Sequence, residues 1–384
     1  MKRDTIKVVH ILPWLSKGGV EQRRYLLAKG LGEEFEQVLV YMQDNEGWVG
    51  RFREEGVKVI RVRGGRGWSP FDVEAIRQIR GVLAEEVPDL VHGGVFEGVS
   101  MATLSGAFMG KSSVIIEETG DPDVRGSGGD LLMAIYSRIA DACVGISEPV
   151  SDYFRHRLRV DPSKVVCVEN GIRAMGPITD DEQLRLRHQW GIGEDDLVIG
   201  TVGRFHEYCK RFKALIRLVA RLRPDYPGIK LLLVGDGQDR DILEEEVARL
   251  DLSQEVIFTG FRQDVEKFYG VMDVFSLLSV QEGFGLVVAE AMACELPTVV
   301  TAVGGMKTVS VPGETGFQVD GKKPMEAEGY LRRLLNDPSM RQRMGRAGRK
   351  RAMEKYSEEA YVNRVRDLYR RVCESEFQNV RESV

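Results

Sequence analysis

Short apolar runs alternate with stretches of helical periodicity along almost the whole chain, a pattern that predicts parallel strands buried on both faces and linked by crossover helices. In the first half the runs Val8 to Leu12, Gln37 to Tyr41, Val57 to Val62, Leu90 to His92, Ser113 to Glu117, Ala142 to Ile146 and Val165 to Val168 read as strands. Helices are predicted over Gly19 to Leu31, Val73 to Glu86, Gly98 to Phe108, Leu131 to Ala140 and Glu148 to Phe154. A polar, turn-rich stretch from Arg173 to Asp196 closes this series. A second series follows, with strands at Val198 to Val202, Lys230 to Val234, Glu255 to Thr259, Val274 to Leu277 and Thr298 to Val300. The segment Tyr356 to Val372 has a serine at its start and apolar residues at helical spacing, which predicts an amphipathic helix that must pack on something. The expected architecture is α/β, two doubly wound halves joined by one linker, with a ligand in the cleft between them at the carboxyl ends of the strands.

Length and composition agree with this. At 384 residues the chain suits two domains of about 150 to 200 residues each. A hydrophobic content of 43% with 29% charged residues is that of a soluble globular protein, and the net charge of -5 argues against a dedicated nucleic-acid binder. Two basic runs, Arg51 to Arg66 and Arg341 to Lys355, read as solvated faces, with peripheral contact to an anionic membrane as the alternative. The cysteines, Cys143, Cys167, Cys209, Cys294 and Cys373, are odd in number and widely spaced, which fits reduced thiols of a cytoplasmic protein. The N-terminus passes directly into a strand, no signal peptide is apparent, and no apolar run approaches the roughly 18 residues that a membrane span requires.

The most informative chemistry is Glu282-Gly-Phe-Gly-Leu-Val-Val-Ala-Glu290, two carboxylates bracketing a glycine-softened turn that opens a helix. Gly283 and Gly285 let backbone approach a ligand, and the N–H groups of Phe284, Gly285, Leu286 and Val287 are expected to be the unpaired donors of a helix start, where phosphate binds. Glu290, one turn in, is placed to accept hydrogen bonds from a ribose diol. Glu282 remains as a spare carboxylate at the mouth.

This spacing, E-x7-E with Gly-Phe-Gly inside, resembles the signature of retaining glycosyltransferases of family 4, enzymes of the two-domain GT-B fold. Further segments match the family in order: Ser16-Lys17-Gly18-Gly19-Val20-Glu21 after the first strand, Pro88 to His92, Asp141 to Glu148, Val168 to Ile172, Val202-Gly203-Arg204-Phe205 with Lys210, Leu232 to Gly237, Phe258-Thr-Gly260-Phe261 and Gly313 to Phe317. The resemblance implies an N-terminal acceptor-binding domain over 1–175, a C-terminal nucleotide-sugar-binding domain over 176–355, and a terminal helix over 356–384 that crosses back to the first domain. It assigns Arg204 and Lys210 to a diphosphate leaving group in place of a metal, and Glu282 to the donor sugar. Gly18, Gly19, Gly203, Gly260 and Phe261 would complete the donor site, with base contacts largely from backbone near Gly260 to Arg262. The implied donor is a UDP or GDP sugar, with no cofactor; the acceptor is a glycan, a lipid-linked carrier or a small molecule, and the expected location is the cytoplasm, with the inner face of the membrane as the alternative.

The chain departs from the family in three places. Glu117-Glu118-Thr119-Gly120 stands where a histidine usually follows the strand, and Glu118 is the candidate to replace it by facing the cleft. Arg211 stands where glycine usually follows the lysine, and the loop Val303-Gly-Gly-Met-Lys-Thr308 lacks the glutamate common after Gly-Gly. Gly235-Asp-Gly-Gln-Asp-Arg240 resembles a dinucleotide fingerprint but lacks its third glycine, so it reads as a plain strand-to-helix turn. Asp121-Pro-Asp123 is a pair of the sort that holds a divalent metal in the other major glycosyltransferase fold, but no metal is expected here and metal binding is the minority reading, whereas Asp239-Arg-Asp241 reads as helix-end charge. None of the histidines, His206 included, has a metal partner at useful spacing. A GT-B-shaped epimerase, a Rossmann-type oxidoreductase and a non-catalytic sugar-nucleotide binder are the alternatives; the absence of G-x-G-x-x-G after either first strand speaks against NAD.

Overall fold

The computed structural model describes residues 5–16, 18–63, 71–107, 112–122 and 125–382. Two compact units divide the chain: Met1–Arg173 together with Glu358–Val384, and Ala174–Ser357. In the first, strands β1 (Ile6–Ile11), β2 (Trp14–Leu15), β3 (Phe35–Tyr41), β4 (Gln43–Asp44), β5 (Lys58–Arg61), β6 (Leu90–Gly94), β7 (Ser113–Glu118), β8 (Ala142–Gly145) and β9 (Val165–Cys167) alternate with helices. Seven of these form a sheet in the order β5-β3-β1-β6-β7-β8-β9, and β2 pairs with β4. The paired strands run parallel, with Val8, Val9, Val38, Val91, Ile115 and Ile116 buried between helical layers.

The second unit holds β10 (Leu197–Val202), β11 (Ile229–Val234), β12 (Val256–Gly260), β13 (Val274–Leu277), β14 (Thr298–Thr301) and β15 (Gly316–Val319) in the order β12-β11-β10-β13-β14-β15. Its strands are near-continuous apolar runs such as Leu231-Leu-Leu-Val234, as expected where helices cover both faces of a parallel sheet.

The stretch read as polar and turn-rich contains a helix, Asp180–Gln189. Thr179 caps it by accepting from Glu182 N, and Asp180, Asp181 and Glu182 fill the first turn. Its attachment is polar. The buried Arg187 guanidinium donates to Gly193 O at 3.1 Å and Val271 O at 3.3 Å, and also to Asp196 O. Gln183 adds a second such bond, from Nε2 to Gly270 O at 2.6 Å, and a helix held by polar side chains on carbonyls shows no apolar stripe, which is why periodicity missed it. The predicted helix from Gly98 begins earlier, at Val95, and its expected end at Phe108 lies outside the described residues.

The terminal helix Glu358–Glu382 packs in the first unit. Tyr361, Val362, Val365, Leu368, Tyr369 and Val372 are buried against Leu26, Leu27, Leu31 and Phe35. The approach is close at Gly30, where a Cβ would lie 2.6 Å from Val362 Cγ2.

The basic run on helix Pro338–Tyr356 is only partly a solvated face. Three of its arginines bind carbonyls at the ends of other helices: Arg341 on Leu334 and Leu335, Arg349 on Ala293, and Arg351 on Thr308 and Val309. Cations at carboxyl ends of helices complement the helix dipole as well as the unpaired carbonyls. Arg343, Arg346, Lys350 and Lys355 are exposed. Of the other basic run, residues 64–66 lie outside the described residues.

Candidate active site

In the second sheet β10 lies between β11 and β13, so the strand order reverses between β10 and β13. The carboxyl ends of strands at such a reversal diverge and leave room for a ligand. From β10 the chain continues through Gly203, the exposed Arg204 and the buried Phe205, whose ring meets Phe212 edge-on with centroids 5.1 Å apart. The turn after β11 clamps this segment: Phe205 N donates to Asp236 O at 2.9 Å. A Cβ on Gly235 would lie 1.9 Å from Gly203 O, and one on Gly237 would lie 2.4 Å from Phe205 O. These glycines therefore serve backbone-on-backbone packing, as a plain strand-to-helix turn requires. Gly235 N in turn donates to Gly260 O at 3.1 Å, which ties in the turn of Gly260 (φ 72) and the half-exposed Phe261. Asp239 stands at the N-cap position of helix Arg240–Arg249, the helix end expected from the sequence, but without a side-chain cap bond; its carboxylate accepts instead from Glu207 N at 2.7 Å, fixing the short helix Glu207–Lys210.

Lys210, the last residue of that helix, pairs with Glu282. Arg211 then takes the left-handed conformation (φ 53, ψ 43) that separates this helix from Phe212–Leu222. The chain thus keeps the backbone shape that glycine adopts without strain, at a cost of about 1–2 kcal/mol for a residue with a Cβ. The Arg211 guanidinium donates to Gly321 O.

Glu282 lies in the turn between β13 and helix Leu286–Ala293. Beneath it runs the Gly304-Gly305 turn: Gly305 N donates to Glu282 O at 3.2 Å. A Cβ on Gly304 (φ 45) would lie 1.6 Å from that same oxygen, and one on Gly305 would lie 2.5 Å from Phe284 Cα. Met306, where the family's glutamate is missing, is fully buried under Gly285, with its Cγ 2.9 Å from the place of a Gly285 Cβ. The helix begins at Leu286 with Gly285 (φ 97) as its N-cap, later than expected. Phe284 precedes the cap, buried and edge-on to Tyr356 at 5.3 Å, so its N–H belongs to the turn. Glu290 is one turn in, and its Oε2 accepts from Tyr269 Oη at 2.8 Å. From behind, helix Pro338–Tyr356 approaches so closely that a Gly345 Cβ would lie 1.9 Å from Glu295 O. Glu290, Glu282, Lys210 and Arg204 are thus carried by elements locked to one another through backbone contacts. Among the described residues, no group of His, Cys, Asp and Glu gathers in a way that would hold a metal; Asp123 lies outside them.

In the first unit the strand order reverses between β1 and β6. After β2, Ser16 is held by Glu21, which accepts from Ser16 N at 2.8 Å and Ser16 Oγ at 3.0 Å, while Trp48 Nε1 donates to Ser16 O at 2.9 Å. Gly18 is the N-cap of helix Gly19–Gly30, and a Cβ there would lie 2.7 Å from the Glu21 carboxylate. Lys17 lies outside the described residues. After β6, Val95 has φ 63, a conformation rare for a β-branched residue.

The adjacent glutamates that end β7 have opposite fates. Glu117 is buried between Arg23 and Arg24, accepting from each at 2.8 Å. Burial pushes its carboxyl up, but the two guanidinium groups outweigh burial and hold it below the usual range. Asn170 accepts from Arg23 at 2.6 Å, and His92 Nδ1 lies 3.2 Å from Arg24 and 2.7 Å from Tyr369 Oη. Glu118 is also buried: its Oε1 accepts from Gly120 N at 3.0 Å and its Oε2 pairs with Arg125. Here burial dominates over Arg125 and the carboxyl is raised. Arg125 lies over the Phe96 ring, 4.7 Å from its centroid.

Two family models match the chain: the glycosyl transferase 4-like domain over residues 18–171, and glycosyl transferases group 1 over residues 182–351, which includes Arg204, Lys210, Glu282 and Glu290. The chain belongs to the group 1 glycosyltransferases. The lipopolysaccharide core biosynthesis glycosyltransferase LpsE of Rhizobium meliloti is 29% identical to this glycosyltransferase over 90% of the chain and 94% of the relative. The N-acetyl-alpha-D-glucosaminyl L-malate synthase of Bacillus anthracis is 29% identical over 49% of each chain, so that match spans about half of the relative's length. The crystal structure of HepE from Anabaena in complex with UDP and glucose has a TM-score of 0.82 at 18% identity, covering 94% of this chain and 99% of that one. A glycosyltransferase from Rickettsia africae gives a TM-score of 0.83 at 17% identity. At such identities the likeness establishes the fold, which is GT-B. Among the described residues, no helix is long and apolar enough to cross a membrane.

Nothing in the sequence singles out Tyr269 and Arg125, the partners of Glu290 and Glu118, or the bond that Asp239 makes. The first sits in the apolar pattern of a short helix, and only folding brings its hydroxyl to Glu290. Arg125 belongs to no motif, and the bond from Glu207 N to Asp239 joins residues distant in sequence.

Proposed function

We propose that this glycosyltransferase moves a sugar, with retention and without a metal, from a nucleoside diphosphate sugar held by the second unit to an acceptor held by the first. The reading rests on one arrangement: the Lys210–Glu282 pair at the strand-order reversal, with Glu290 fixed one turn into the following helix. Glu290 accepts from the ribose hydroxyls. Backbone N–H groups from Phe284 through Gly285, Leu286 and Val287 face the phosphates, while Gly203, Gly260 and Phe261 border the nucleoside and Gly18 and Gly19 the donor phosphate. Lys210 and Arg204 stabilise the negative charge that develops on the departing diphosphate, as cations placed where charge develops do. Glu282 keeps Lys210 in place and accepts from a donor-sugar hydroxyl. The bond from the anomeric carbon to the phosphate oxygen breaks as the bond to the acceptor oxygen forms on the same face, and the departing phosphate takes the acceptor proton.

UDP is the first donor nucleotide to test, because the HepE structures hold UDP, UDP with glucose, and UDP-glucose; GDP is the second. The full-length likeness to LpsE favours a glycan or lipid-linked acceptor, and with it a cytoplasmic enzyme that makes peripheral contact with a membrane. Release of nucleoside diphosphate from UDP-glucose or other nucleotide sugars, unaffected by EDTA, tests the reading; the anomeric configuration of the product by NMR tests retention. Inversion would refute retention. Isomerisation of the sugar nucleotide without release would identify an epimerase, and binding without turnover a silent binder.

A further inference from the structure

Tyr269 ends the short helix Val265–Tyr269 and is completely buried, with its ring tilted on Phe275 of β13 at a centroid distance of 5.9 Å. Burying a tyrosine requires a partner for its hydroxyl. Here the Oη donates to Glu290 Oε2 at 2.8 Å and lies 3.3 Å from Val287 O, both in the first turns of helix Leu286–Ala293. The phenol has one proton and two acceptors, and the shorter, charge-assisted contact to the carboxylate takes it. A glutamate side chain has three rotatable bonds and would lose their freedom on binding a ligand. With one oxygen fixed on a buried phenol that cannot itself turn away, that loss is incurred on folding and not on binding.

We propose that Tyr269 is a positioning residue for ribose recognition: it presets the Glu290 carboxylate and thereby sets how strongly the site distinguishes a ribonucleotide from its 2′-deoxy counterpart. The inference rests on the reading of Glu290 as the ribose partner. A role for Tyr269 in packing alone makes a different prediction, because Tyr269→Phe keeps the ring and its contact with Phe275 and removes only the hydroxyl. Loss of packing or of general stability would weaken ribo- and deoxynucleotide binding alike, whereas loss of carboxylate positioning weakens the ribonucleotide alone.

The test is calorimetric titration of the full chain, as wild type, Tyr269→Phe and Glu290→Ala, with UDP and 2′-deoxy-UDP, or with the corresponding GDP or ADP pair if that nucleotide raises the melting temperature more. Wild type should prefer the ribonucleotide, Glu290→Ala should bring the two affinities together, and Tyr269→Phe should lower the preference by about two- to tenfold, the equivalent of one hydrogen bond. An unchanged preference in Tyr269→Phe beside a lost preference in Glu290→Ala would overturn the role of Tyr269 and leave that of Glu290 standing. An unchanged preference in Glu290→Ala, or no binding of any of the three diphosphates, would overturn the underlying reading as well.

Discussion

Lys210 and Glu282 are ion-paired across 72 residues of sequence, one at the end of the helix that follows β10 and the other in the turn that follows β13. The two strands are sheet neighbours only because the strand order reverses there, so topology creates the pair. Both side chains are about one-fifth exposed, so the pair is not sealed in the core. Lys210→Ala or Arg204→Ala should lower turnover by roughly 100- to 1,000-fold, as when one preorganised donor is lost, with EDTA causing no comparable loss in the parent enzyme. Steady-state release of nucleoside diphosphate reads this out. Strong inhibition by EDTA reversed by manganese would instead bring Asp121 and Asp123 into the mechanism.

Gly304 and Gly313 both have left-handed backbone, at φ 45 and φ 79, but only Gly304 is crowded. Gly313→Ala should cost about 1–2 kcal/mol, the strain of the conformation alone. Gly304→Ala adds a collision with Glu282 O and should cost roughly 2–4 kcal/mol while displacing the Glu282 turn. Urea unfolding and nucleotide affinity measured on both variants check this. Equal loss of stability, with activity intact in both, would mean that the Gly304-Gly305 turn does not set the position of Glu282.

How much of this was legible follows from the kind of force holding each part. Parallel strands such as Leu231 to Val234 announce themselves as continuous apolar runs because both faces are buried, and the terminal helix announces itself because one buried face imposes a helical period. The turn from Glu282 into helix Leu286–Ala293 was legible as local structure because its glycines interrupt the apolar pattern that flanks them. Helix Asp180–Gln189 was not, since Arg187 attaches it through carbonyls and leaves no apolar stripe. Nothing in the sequence marks Arg23 and Arg24, which are buried around Glu117 in a contact that forms only when the first helix docks on β7. Arg211 taught the converse: a family glycine can be replaced where its backbone conformation is retained, here with a side-chain bond to Gly321.

Glu118 is engaged through both oxygens by Gly120 and Arg125, so any part it takes in catalysis passes through the guanidinium it holds. Glu118→Gln should therefore depress sugar transfer while leaving nucleoside diphosphate affinity in the second unit unchanged. Full activity of the variant on the donor that supports turnover would remove Glu118 and Arg125 together from the site. Loss of nucleotide affinity would indicate a folding defect.

The core of the first unit should be sensitive to acid. Burial, reinforced by Arg24, pushes the His10 imidazole down to about 3, and the same causes put His92 well below its ordinary value. Unfolding restores a histidine pKa near 6.5, so below that pH the unfolded chain binds protons that the folded one refuses, and stability falls as pH falls. Each histidine contributes a slope of up to about 1.4 kcal/mol per pH unit between pH 6 and 4. Glu117, held low by its two arginines, adds to the loss only below about pH 4.5, where the unfolded carboxyl is protonated. Denaturant unfolding across this range should show the slope, and His10→Phe should reduce it.

The central claim is that Glu290 holds the ribose of a nucleoside diphosphate, and isothermal titration of wild type and Glu290→Ala with UDP, and with GDP if UDP does not bind, tests it most directly. Loss of a charge-assisted hydrogen-bond partner worth about 1.5 to 3 kcal/mol should weaken binding by roughly 10- to 150-fold while far-UV circular dichroism stays unchanged. Equal affinity of the two proteins for the diphosphate would contradict the account.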